Sequence, residues 1–223
     1  MAVAMLFTAV FGFGRTYVLG LLFGYPSTIT GRHLFGVVHL HALVFTGWLV
    51  LLIVQTSLIA AHRVKVHRTL GYFGAAWGAL MIVVGIALAV NAARAGAAPP
   101  GADPYSFLAI PFGDLATFTI FFAAAVVWRN YKERHKRLMV LASAALMTAA
   151  LARWPGILPL GPLVYYGLTL LFPIAGAIYD RVSRGRVHPA YWWGMAIMIV
   201  GVPVRIVLLG SPAWQHAMRS LLG

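Results

Sequence analysis

The sequence predicts an all-α polytopic membrane bundle: one domain over residues 1–223, about seven transmembrane helices, the N-terminus inside and the C-terminus outside. Composition is the first reason. Hydrophobic side chains make up 61% of the chain and charged ones 9%, with a mean hydropathy of +0.87, where soluble domains carry about 25% charged residues. The second is distribution, because the apolar excess is spread over seven runs, each near the roughly 20 residues that cross a hydrocarbon layer. The third is that basic residues gather in alternate connections, the bias that marks cytoplasmic loops. A soluble enzyme is excluded. The formal charge of +13 does not point to nucleic acid either, since the basic residues stand in short clusters between apolar runs and not along one polar face.

Taken in order, the first run, 4–23, has no basic residue ahead of its apolar stretch and no small-residue cleavage site, so it reads as a retained membrane helix and not a signal peptide. The second, 35–61, carries Val38-His39-Leu40-His41-Ala42 near its start. The third, 70–92, follows HRVKVHR; the fourth is 107–128; the fifth, 138–154, follows RNYKERHKR; the sixth is 160–179; and the seventh, 190–210, follows RVSRGR. Strands are ruled out, because isolated strands leave backbone groups unpaired in lipid and the alternating pattern of a barrel is missing. The three basic segments, 62–68, 129–137 and 181–186, hold eleven of the seventeen Lys and Arg residues and all fall on one side of this topology. Lys65, Lys132 and Lys136 read as loop residues, which excludes a retinal Schiff base despite the seven helices. Tyr165-Tyr166 and Tyr191-Trp192-Trp193 read as interfacial belts.

Ionisable groups inside apolar runs cost a few kcal/mol on insertion and are default functional candidates. Here these are Arg15, Arg205 and Asp114, with Arg153 at the same outer depth beside Trp154 and Pro155. Three Arg against one Asp form an anion-seeking cluster suited to haem propionates, the phosphate of an anionic lipid or a small carboxylate. The plainer alternative pairs Arg15 or Arg205 with Asp114 to lock helix packing, while Arg153 snorkels to the headgroups.

Absence of cysteine removes disulfides, thiolate ligands and iron–sulfur clusters, leaving eight His as the coordinating groups. His39 and His41 lie at the depth of the Arg cluster, but residues two apart on a helix point about 200° from one another and do not share a metal. His33 lies too far along the axis to complete a three-His site. His62, His67, His135 and His188 stand beside basic residues or Pro at helix ends, where a cap or interfacial anchor is the ordinary role. His67 and His135 nevertheless open parallel helices at one depth, in the echoing elements His-Arg-Thr-Leu-Gly and His-Lys-Arg-Leu-Met. If those helices are neighbours, the two imidazoles reach a common ligand.

The elements Arg15-Thr16-Tyr17, HLHALVFTGWLVLLIVQTSLIAA, HRTLGYFG and HKRLMVLASAALMTAALARWP together resemble an uncharacterised family of bacterial multi-pass membrane proteins, over roughly residues 10–180. That family bears a distant likeness to membrane b-type cytochromes. The resemblance implies a bacterial cytoplasmic-membrane protein and leaves the reaction open. Three readings follow. In the first, the chain binds haem b and transfers electrons, with quinone as a candidate partner; His39 or His41 ligates an outer haem whose propionates meet Arg15, Arg153 or Arg205, and His67 with His135 holds an inner one. In the second, His39, His41 and Asp114 hold zinc or another divalent metal for an enzyme acting on a lipid-like substrate. In the third, the chain is a non-enzymatic anion or lipid transporter, or an accessory subunit of a membrane complex.

Overall fold

A computed structural model describes residues 1–19, 22, 36–99 and 101–223; of Arg15 it describes the backbone alone. Of the described residues 83% are helical, and none lies in a strand. Its elements are α1 (Ala2–Phe13) continued by a π-helical turn (Gly14–Val18), α2 (Gly36–Ala60), α3 (Val64–Arg94), α4 (Pro104–Phe107), α5 (Ala109–Val127), α6 (Lys132–Ala145), α7 (Thr148–Leu151), α8 (Pro162–Thr169), α9 (Leu171–Arg184), α10 (Pro189–Leu209) and α11 (Pro212–Leu222). Five helical stretches among the described residues are long and apolar enough to cross a membrane: Gly36–Ala60, Val64–Arg94, Pro104–Val127, Pro162–Arg184 and Pro189–Leu209.

The other two expected spans take a shorter form. The run expected over 4–23 is helical from Ala2 through the π turn at Val18, and part of its remainder lies outside the described residues. The run expected over 138–154 breaks at Leu146 and Met147, whose N–H groups reach back only three residues, to Ser143 and Ala144. The basic segments are also less loop-like than expected. Lys65, Lys132 and Lys136 lie inside helices, as do Arg181 and Arg184, because helices project past the apolar run and basic side chains there meet water and headgroups. At the basic end the turns shrink to a few residues, 61–63, 128–131 and 185–188.

Helix starts follow local chemistry. Asp103, His188 and Ser211 each precede a proline and accept a hydrogen bond from the backbone of the helix they open. Proline at the first helical position gives up an N–H that has no partner there anyway, and the preceding polar side chain covers another. Pro173 lacks the N–H that would bond to Thr169, and the span from Pro162 to Arg184 is interrupted at Leu170. α9 stops at Gly185, whose φ of 73° is left-handed.

The core centres on α5, where Phe118, Phe121 and Ala125 are buried. Trp48 of α2 meets Phe118 and Phe122 edge-on and donates its indole N–H to Ser143 of α6 at 3.2 Å. Close approach of α3 and α5 needs Gly78, because a β-carbon there would collide with the Phe122 ring; small residues serve this purpose where lipid offers helices no hydrophobic drive to associate. Outside the core the surface is apolar, with Val3, Leu43 and Val207 more than 60% exposed, as a lipid-facing surface should be. Tyr166 and Tyr191 depart from the expected interfacial belt, since both are buried in the bundle.

The three basic segments meet at one end. Arg184 reaches Glu133 at 2.6 Å, and His67 faces His135. The opposite end is closed by α11, not anticipated from the sequence, which packs on α4 through the Trp214 indole to Ser106 carbonyl bond and the Arg219–Asp103 ion pair.

Candidate functional site

His67 and His135 are each the fourth residue of their helix, α3 and α6. Their ring centres lie 6.4 Å apart with the planes at 77°. Neither ring hydrogen bonds to the other, because each Nδ1 is engaged by a different neighbour. The His135 Nδ1–H donates to the Ala125 carbonyl at 2.9 Å, near the end of α5 where carbonyls lack helical partners. That bond sets the tautomer and leaves Nε2 with a free lone pair. Gln55 of α2 serves His67: its amide nitrogen donates to His67 Nδ1 at 2.7 Å while its oxygen accepts from the Gly71 N–H at 3.1 Å. In this orientation Nδ1 accepts, so the ring proton of His67 sits on Nε2. Gln55 was not singled out from the sequence, although an amide inside an apolar run is itself a flag.

Directly beyond His135, Arg137 ties the helix in place. It is 2% exposed and donates to Asp180 through Nε at 2.6 Å and Nη2 at 2.5 Å, and to the Glu133 carboxylate through Nη1 at 2.7 Å. Hydrogen bonding from Arg137 holds the Glu133 carboxyl down to about 2. His188 plays the capping role expected of it, its Nδ1 accepting from the Ala190 N–H.

The middle of the bundle holds the Arg205–Asp114 pair, with Nε to Oδ1 at 3.3 Å. Arg205 also donates to Thr117 Oγ1 at 2.7 Å and to the Gly113 carbonyl, and the Tyr166 hydroxyl donates to Asp114 at 3.1 Å. This is the packing lock between α10 and α5. Its seat is shaped for the guanidinium, because a β-carbon at Gly113 or Gly201 would strike it. A cavity of about 10 Å³, the size of one water, lies against Asp114, Thr117, Thr148, Tyr166 and Arg205.

At the end remote from the basic segments, His39 Nδ1 bonds to the Tyr17 hydroxyl at 2.9 Å and His41 stacks on Phe45 with ring centres 3.8 Å apart. Arg153 lies over the Phe13 ring at 4.5 Å. The side chain of Arg15, and His33 altogether, lie outside the described residues. The expected partners His39, His41 and Asp114 thus each have other neighbours, and no group of three or more His, Asp or Glu gathers as a metal site among the described residues. Of the sequence candidates, the structure brings together His67 with His135 and Arg205 with Asp114.

No protein-family model matches the chain, and neither a curated protein nor a solved structure is significantly similar to it.

Proposed function

We propose that this is a haem b protein of the bacterial cytoplasmic membrane that passes single electrons, with His67 and His135 as the residues that would hold the haem and the basic end facing the cytoplasm. The observation carrying the reading is the paired imidazoles: two rings 6.4 Å apart, without a mutual hydrogen bond, each held at Nδ1 by a neighbouring helix. Two imidazoles presented from neighbouring helix ends are a donor set of the kind that would hold haem iron. Haem supplies a one-electron iron couple tuned by its ligands and surroundings.

The chain's own residues do the rest. Ala125 orients His135 and selects its tautomer. Gln55 holds the His67 ring in place through Nδ1. Arg137, bound to Asp180 and Glu133, anchors the first turns of α6 so that His135 keeps its depth. Arg68 follows His67 and Lys136 follows His135 in the sequence, and positive charge near a centre favours its reduced state. One centre is proposed in place of the two that the sequence suggests, because His39 and His41 have other neighbours. A membrane-soluble carrier such as a quinone is the partner class for such a centre.

The test is a reduced-minus-oxidised spectrum of detergent-purified protein from haem-replete cells, with haem quantified on the same sample. One haem per chain is expected, lost in both His67→Ala and His135→Ala and kept in His39→Ala and His41→Ala. A colourless wild-type protein, or a spectrum indifferent to His67 and His135, overturns the reading.

A further inference from the structure

Arg153, at the end of the bundle remote from the proposed haem ligands, has no acidic partner. Its Nη1 donates to the Ala149 carbonyl one turn back at 2.6 Å, and its guanidinium faces the Phe13 ring. No side-chain carboxylate in the chain is free to serve it: the four that exist are Asp103, paired to Arg219; Asp114, paired to Arg205; and Glu133 and Asp180, both paired to Arg137. A partly buried arginine set over an aromatic ring is retained at a cost unless an anion meets it.

Two further polar atoms converge on the same end. Among the described residues, His41 Nδ1 and Thr16 Oγ1 are buried without any hydrogen-bond partner, a state the great majority of buried polar groups avoid. Arg153 lies within Coulomb range of His41. Thr16 sits one turn beyond Gly12, which abuts the Ala150 carbonyl of α7, and between Phe13, which touches Arg153, and Tyr17, which bonds to His39. It lies in the π-helical turn, a distortion frequent at functional sites. Three groups with hydrogen-bonding capacity to spare, one of them cationic, are therefore presented from the end of α7, α2 and the end of α1.

Next to them runs an exposed apolar strip. Phe7 and Phe11 stack on one another and Phe11 packs edge-on against Trp154, the neighbour of Arg153 in sequence, while Phe7 is 62% and Val10 58% exposed. A charged site with an apolar strip beside it suits an amphiphile, its head on the polar groups and its acyl chain along α1.

We infer that Arg153, His41 and Thr16 bind the anionic headgroup, phosphate or carboxylate, of a lipid at this end of the bundle. The site is independent of the haem reading.

The test is native mass spectrometry of the purified full chain with added phosphatidylglycerol, with phosphatidylcholine in parallel. One tightly retained phosphatidylglycerol per chain is expected, and no phosphatidylcholine. Arg153→Gln should weaken retention by at least about tenfold, as for loss of a charge-assisted hydrogen bond. His41→Phe and Thr16→Val, which change no charge, should weaken it by smaller factors, and Arg153→Lys should restore part of it. Arg63→Gln at the opposite end should leave the retained molecule in place. Inorganic phosphate gives the second arm: displacement of the lipid by millimolar phosphate identifies the soluble anion as the ligand of the same residues, and resistance to it identifies the lipid. Equal retention of both lipids, or retention unchanged in Arg153→Gln, His41→Phe and Thr16→Val alike, overturns the inference.

Discussion

Replacing Asp180 with asparagine should cost more stability than deleting the whole ion pair it belongs to. Arg137 and Asp180 are 2% and 3% exposed, and two of the three guanidinium nitrogens bond to the two carboxylate oxygens at 2.5 and 2.6 Å. The amide keeps the shape of the carboxylate but removes the charge, leaving a buried guanidinium whose remaining carboxylate partner is the partly exposed Glu133. Breaking a buried pair from one side costs about 3–5 kcal/mol; Glu133 offsets some of this, which places Asp180→Asn near about 2–4 kcal/mol. The double variant Arg137→Met with Asp180→Leu carries no stranded charge and should lose less than about 2 kcal/mol, so the two sites are strongly non-additive. Denaturant unfolding in mixed micelles, followed by tryptophan fluorescence, measures all three proteins. The same samples report on the His pair, because Arg137 follows His135 by two residues: haem retention should fall in Asp180→Asn. A cost below about 0.5 kcal/mol for Asp180→Asn, or a double variant less stable than the single, refutes the assignment of this pair as the anchor of α6.

Other outcomes follow from the same contacts. Gly113→Ala and Gly201→Ala each push a methyl into the Arg205 guanidinium and should destabilise by about 1–3 kcal/mol in the same assay, whereas Gly14→Ala, with nothing within 4 Å of the added carbon, should be neutral or slightly stabilising. The Glu133 carboxyl falls from its ordinary 4.5 to about 2 in the folded chain. Its contribution is therefore fully present above pH 4.5 and lost as pH drops towards 2, worth about 1 kcal/mol after solvent screening; thermal shift between about pH 7 and pH 3 should show this component in the wild type and lack it in Glu133→Gln. Gln55→Leu removes the group that orients His67 and should lower haem retention while leaving His135→Ala no worse when the two are combined.

Much of the architecture was legible because lipid simplifies the code. Apolar runs of sufficient length become helices, and the clustering of Arg and Lys after the second, fourth and sixth runs located the end where those segments meet. The echo between the His67 and His135 elements pointed to a pair, conditional on adjacent helices, and the structure brings the two rings to 6.4 Å at the helix starts. Arg205 with Asp114 was legible only as one of two options, since run-length arithmetic gives depth and not direction. Helix facing decided the rest. Tyr166 and Tyr191 look like belt aromatics in sequence because a tyrosine near a helix end is the same in both settings; only packing against Asp114 and Gly176 turns them inward. α11 escaped notice because PAWQHAMRSLL is amphipathic, not uniformly apolar, and needs the α4 surface to hold it. The break at Leu146 and Met147 has no Gly or Pro to announce it.

Every side-chain carboxylate of this chain is tied to an arginine: Asp103, Asp114, Glu133 and Asp180. All the acidic side-chain charge of the molecule is therefore spent on its own arginines, and the remaining charged side chains are basic. Acidification cannot switch off negative patches that are not there, and alkalinisation leaves arginine protonated. A cationic partner would find no unpaired side-chain carboxylate on this chain, whereas an anionic one would meet guanidinium and ammonium groups in excess.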